Sequence, residues 1–274
     1  MGSVPSELDI EIRLLLEAVY LRYQHDFRHY ALASLRRRIP RAVEHFGLDS
    51  VSALQGRVLR DAAAFRELLP FLTVQVSEMF RDPPFFLALR RDVLPRLETY
   101  PTVRVWVAGC SAGEEVYALA ILLREEGLLE RSIVYASDVS PDALERAERG
   151  IYELDRVEQF GASYLAAGGR GALSDYYTAA YGAARFDPAL RANVVFTDHS
   201  LATDHVFAEV QLVTCRNVLI YFDAALQNRA VGLFRDALCH RGVLGLGLGE
   251  TLRFTEHADA FEPLNASLRL YRKR

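Results

Sequence analysis

Asp138 closes the apolar run SIVYASD, and Arg216 with Asn217 closes a second such run, EVQLVTCR, shortly before Tyr221. Charged and amide groups at the carboxyl end of a hydrophobic strand suit a ligand better than a core, because open α/β sheets bind ligands outside those ends. An acid there can accept both hydroxyl hydrogen bonds of a ribose. The plainer alternative is that Asp138 caps the next helix, although Ser140 already supplies a cap. Arginine resists burial without partners, so Arg216 implies a cleft or an ion pair, while Asn217 could instead cap a helix start.

A third strand end, in VRVWVAG, runs into AGCSAGEE. Gly109 lets the backbone turn sharply and approach a ligand, and Gly113 relieves crowding where a helix begins. The G-x-x-x-G spacing is not the dinucleotide G-x-G-x-x-G, and no Walker lysine follows, so a phosphate cradle is poorly supported. Glu114 and Glu115 suit a first helical turn on structural grounds, yet they would repel a pyrophosphate. A nucleoside whose far end is cationic satisfies both Asp138 and these acids; S-adenosylmethionine has that charge pattern. In TDHSLAT, Ser200 and Leu201 could line an adenine pocket, a polar contact beside an apolar face. His199 reads as a loop or surface histidine.

The elements that must position these groups alternate from Val103 onward. VRVWVAG, SIVYASD, NVVFTDHS, EVQLVTCR and RGVLGLGLGE read as strands. EEVYALAILLREEG, SPDALERAERG and DAALQNRAVGLFRDALCHRG read as helices, and ASLRLYRKR as a last strand at an edge. This rhythm predicts a doubly wound, mostly parallel sheet. SDYYTAAYGAARFDPALRANVVF breaks it and predicts a small antiparallel hairpin inserted around residues 174–192. Residues 1–72 read as a small all-helical domain in which Pro40 should kink or break the second helix. Residues 73–95 form a linker and junction helix, with Asp82 capping a helix that starts at Pro83 and Arg81 just ahead of the cap. Residues 96–274 form the α/β domain.

Composition narrows the class. The chain has 274 residues, is 51% hydrophobic and carries a net charge of -4, which argues weakly against a nucleic-acid binder. Residues 20–60 nonetheless hold eight arginines and three acids. Cys110, Cys215 and Cys239 show neither CxxC spacing nor a nearby histidine cluster; a structural zinc or disulfide framework is not expected, and a reducing, cytoplasmic setting is. The amino terminus reads as neither signal peptide nor membrane span.

From about Leu8 to Tyr271 the chain resembles the chemotaxis receptor glutamate O-methyltransferases, the CheR-type family. LRRRI, MFRDPPFF, GCSAGEEVYALA, ASDVSPDALERAERGIY, CRNVLIYFD and a late GLGE carry the likeness. The resemblance implies a class I methyltransferase domain and methyl transfer from S-adenosylmethionine to receptor glutamate carboxylates, leaving S-adenosylhomocysteine. It implies cofactor contacts at Gln75, Ser77, Arg81, Glu115, Asp138, Ser200, Leu201, Asn217 and Val218, beside the turn at Gly109, with Arg81 and Tyr221 around the methyl and its acceptor. Arg36, Arg37, Arg38 and Arg41 would then attract acidic receptor helices. A monomer that docks on the receptor's cytoplasmic helical domain is expected. Three departures stand out: Gln75 and Ser200 occupy positions where the family commonly has asparagine, Ser77 stands for threonine, and GLGE replaces GHSE. Two other readings are a nucleic-acid methyltransferase, although CRNV stands where a nucleobase motif would, and a signalling module that binds the cofactor without transfer.

Overall fold

The computed structural model describes residues 5–274. Four helices come first: α1 (Glu7–Tyr23), α2 (Leu32–His45), α3 (Val51–Arg60) and α4 (Ala62–Leu72). Ser6 and Asp9 cap α1 reciprocally, and Ser50 and Asp61 accept the first free amides of α3 and α4, satisfying donors that a helix start leaves unpaired. Ile12, Leu15, Val19, Leu35, Ile39, Leu54 and Leu68 close a core of their own. Pro40 does not break the second helix: α2 runs through it. α2 starts only at Leu32, and residues 24–31, with a turn at Arg28 and His29, connect it to α1.

Residues 73–82 lead into α5 (Pro83–Ala88), which passes through a wide turn at Leu89–Val93 into α6 (Leu94–Leu97). Phe86, Leu89 and Val93 are buried together. Asp82 takes the position before the helix, at φ 57, but its side chain does not cap; the carboxylate is claimed by Arg216.

The remaining elements are β1 (Val103–Ala108), α7 (Glu114–Glu125), β2 (Ser132–Asp138), α8 (Pro141–Arg149), β3 (Ile151–Glu153), α9 (Leu154–Gln159) and α10 (Gly161–Ala166). They continue with β4 (Tyr177–Ala180), β5 (Ala183–Phe186), β6 (Val194–Asp198), β7 (Val210–Cys215), α11 (Ala224–Ala237), β8 (Leu238–Leu246), β9 (Phe261–Asn265) and β10 (Leu270–Lys273). The main sheet has seven strands in the order β6-β2-β1-β7-β8-β10-β9. Its first five strands are parallel, and β10 runs antiparallel to both neighbours. One core packs α5 to α7 on one face of the sheet, and a second, holding Trp106 and Phe234, packs α11 on the other.

Three predicted features are corrected here. The last strand is not an edge: β9, in FEPLN, lies outside it, and Pro263 suits a strand with one unpaired side. The helix before β8 ends at Ala237, so Leu238 to His240 belong to the strand, which shifts register against β7 between Val210 and Leu212. The inserted hairpin, β4 with β5, gains a third strand from β3.

Candidate active site

The order of the sheet reverses between β1 and β7, and the strand ends there open into a cleft whose empty space, open solvent included, is about 1080 Å³. Gln75, Ser77, Arg81, Gly109, Glu115, Asp138, Ser200, Leu201, Asn217, Val218 and Tyr221 all line it. Residues far apart in the chain meet because β1, β2, β6 and β7 end on one rim.

Asp138 ends β2 and is buried. Its Oδ2 accepts the Ser111 amide at 2.8 Å and its Oδ1 accepts the Ser140 amide at 3.0 Å. Burial pushes the carboxyl above its ordinary value, and these amides pull the other way. Both the ligand reading and the capping reading therefore have a physical basis: the Ser111 and Ser140 amides hold the carboxylate still, and the residue stands in the cleft wall.

Both glycines of the first turn answer to packing. Gly109 has φ 72, and a Cβ there would come within 2.5 Å of Val218 Cγ2. Gly113 has φ 93 and stands against Ala147, where a Cβ would come within 2.7 Å. The close approach at Gly109 is thus made by another part of the protein, the turn after β7.

Arg216 leaves β7 with its side chain 1% exposed. It bonds Glu115 Oε2 at 3.0 Å, Asp82 Oδ2 at 2.8 Å and the Arg81 carbonyl at 2.7 Å, and its guanidinium lies 4.2 Å from the Phe85 ring centre. An ion pair thus satisfies the buried charge, as its position after LVTC requires. Asn217 does not cap a helix: at φ 61 it precedes a single tight turn, Leu219–Tyr221. Gln75 accepts from the Ser111 hydroxyl at 3.0 Å. Ser77 presents its carbonyl to Arg156, which also pairs with buried Glu114 at 3.0 Å. Ser200 is half-buried, its amide bonded to Asp204, and Leu201 is 6% exposed. His199 lies in the loop after β6 but not on the surface: it is buried edge-on to Trp106, faces the His205 carbonyl and borders the cleft.

His25, Asp26, Phe27 and Tyr30 line the cleft from the α1–α2 connection, and the sequence offered no local signal for them. Tyr30 bridges Phe222, the Ala31 amide bonds the Tyr221 carbonyl at 2.7 Å, and the Asp223 amide bonds the His29 carbonyl at 2.8 Å. These contacts dock the helical domain directly on the turn that carries Tyr221.

Residues 10–73 match the family model described as CheR methyltransferase, all-alpha domain, and residues 75–269 match CheR methyltransferase, SAM binding domain. The chain belongs to the CheR methyltransferase family. Among CheR relatives, "Putative methyltransferase Cher3" of Pseudomonas putida is 58% identical, with 97% of each chain covered. A chemotaxis protein methyltransferase of Listeria monocytogenes is 33% identical over 70% of this chain and 71% of its own. Chemotaxis protein methyltransferase 1 of Pseudomonas aeruginosa is 29% identical over 78% of this chain and 80% of its own.

The cofactor of a CheR enzyme is S-adenosylmethionine, and the donor set fits it. The cleft offers an acid at the end of β2, Asp138, another in the first turn of α7, Glu115, and apolar contact at Leu201 and Val139, a lining suited to a ribose, a cationic end and a flat base. Its two arginines, Arg81 and Arg216, stand together on one side, and Arg216 is already held by carboxylates. Among the described residues no group of His, Cys, Asp and Glu could hold a metal ion, and no helix is long and apolar enough to cross a membrane.

The four arginines expected to attract receptor helices differ in how far they are free to do so. Successive helical residues turn by about 100°, so Arg36, Arg37 and Arg38 point three ways. Arg36 grips Asp9 through two hydrogen bonds, at 2.6 and 2.7 Å. Arg38 turns inward, donating to the Leu72 carbonyl at 2.7 Å with its guanidinium 5.9 Å from the Tyr221 ring centre. Arg37 and Arg41, one turn apart, are exposed.

Proposed function

We propose that this chain transfers the methyl group of S-adenosylmethionine to glutamate side-chain carboxylates on the cytoplasmic helical domain of chemoreceptors, giving glutamate 5-O-methyl esters and S-adenosylhomocysteine. The observation that carries the reading is the meeting in one cleft of Arg81 and Tyr221, from opposite halves of the chain, beside the acids at Asp138 and Glu115. The names of the chemotaxis methyltransferases among its relatives support the receptor as substrate.

A glutamate carboxylate is ionised near neutral pH and needs no general base. The bound cofactor supplies an electrophilic methyl on a sulfonium. What remains for the protein is placement and dryness. Asp138 holds the ribose and Glu115 faces the cationic end, while Ser200 and Leu201 flank the base. Arg81 orients the acceptor through the oxygen that does not attack, since gripping the attacking oxygen would stabilise the ground state more than the transition state. Tyr221 donates from the other side, and Phe27 and Tyr30 cover the site against water. Arg37 and Arg41 remain for the acidic receptor surface.

Labelled-methyl transfer to purified receptor signalling domains tests this, with alkali-labile ester counted apart from stable amine methylation. Ester label on glutamate is the expected result; stable label alone, or none on any receptor, overturns the acceptor. Asp138→Ala should weaken S-adenosylhomocysteine binding about tenfold or more, since it removes two charge-assisted hydrogen bonds. Calorimetry with an unchanged dissociation constant would remove the ribose assignment.

A further inference from the structure

Glu250 lies just past β8, is 4% exposed, and has no cationic partner among the described residues. Its carboxylate is spent on backbone. Oε1 accepts the Val218 amide at 2.9 Å, and Oε2 accepts those of Asn217 at 3.1 Å and Gly247 at 2.6 Å. Burial raises its pKa while the amides of Gly247 and Asn217 pull it back, so the turn offsets part of the cost of burying the carboxylate. Gly247 makes the room: a Cβ there would come within 2.8 Å of both the Asn217 nitrogen and Glu250 Oε2.

The turn so held is not one a chain adopts freely. Asn217 sits at φ 61, a left-handed conformation that asparagine tolerates better than most residues yet that remains less favoured than the extended or right-handed regions. Val218, the next residue, fills the space that Gly109 leaves. Two strand-end loops are therefore locked together, and the lock closes on Glu250.

We infer that Glu250 is a positioning residue for methyl transfer, whose carboxylate fixes the Asn217–Val218 turn against the cofactor and thereby sets Tyr221. This assigns a role to the glutamate of GLGE, which together with Gly247 is what this late motif shares with GHSE. The inference rests on the reading above that Asn217 and Val218 contact the cofactor.

Glu250→Gln replaces one acceptor oxygen with an amide that faces N–H donors. S-adenosylhomocysteine should bind about tenfold to a hundredfold more weakly by calorimetry. Hydrogen exchange should quicken in a peptide spanning residues 215–223 and stay unchanged in peptides from β1 and β2. Glu250→Asp keeps the charge at shorter reach and should recover part of the affinity; it decides the matter by the same measurements if the glutamine variant does not fold. Wild-type affinity in Glu250→Gln, or exchange quickened equally in β1 and β2, would overturn the role. Wild-type protein in the same calorimeter separates the two ideas: no binding there sinks the cofactor assignment itself, whereas normal wild-type binding with an unaffected variant sinks Glu250 alone.

Discussion

Arg81→Ala should lower methyl transfer at saturating cofactor about a hundredfold, the usual cost of losing alignment by an ångström or so, while S-adenosylhomocysteine binding changes about threefold or less. Arg81 is half-buried at the cleft wall, without a carboxylate partner among the described residues. Its backbone, by contrast, is held firmly, since Arg216 takes its carbonyl at 2.7 Å. A guanidinium with a fixed root and an uncommitted head is suited to a partner that arrives from outside. Single-turnover kinetics beside calorimetry separates the possibilities: normal turnover with affinity lost would make Arg81 a cofactor clamp only.

Arg216→Ala should be the most damaging change to stability, by about 3 kcal/mol, the low end for breaking a buried pair. The low end applies because Asp82 and Glu115, at 26% and 13% side-chain exposure, can recover some hydration. Urea denaturation measures it; a loss below about 0.5 kcal/mol would mean the pair is no more than a surface contact. Arg216→Lys divides the effect. A lysine keeps the charge but lacks the planar fork that reaches two carboxylates and a carbonyl together. Stability should return in part, while turnover stays about tenfold down because the Arg81 segment is no longer anchored.

The sheet and most of its ligand-facing tips were legible in the sequence for a local reason. Each buried strand is a short apolar run ended by residues that a core would reject, so Asp138 and Arg216 announce both the end of a strand and the side on which it opens. Where the deciding contact is distant, the sequence was silent. Asp82 sits where a cap belongs, yet its partner lies on β7's tip. FEPLN carries a proline and little alternation, so only its pairing with β10 makes it a strand. LRRRI shows three arginines in a row, but only the packed fold tells that one faces Asp9, one solvent and one Tyr221. The roof from His25 to Tyr30 has no pattern at all, because its shape is dictated by the turn on which it rests.

That resting place couples two tasks. α2 starts at Leu32, one peptide bond after Ala31, whose amide grips the Tyr221 carbonyl. On the proposed function, a receptor helix that leaned on Arg37 and Arg41 would push on a lever whose short arm ends at Tyr221. Recognition of the right surface and alignment of the tyrosine would then be one mechanical event, and a receptor peptide too short to reach α2 is expected to forfeit rate as well as affinity.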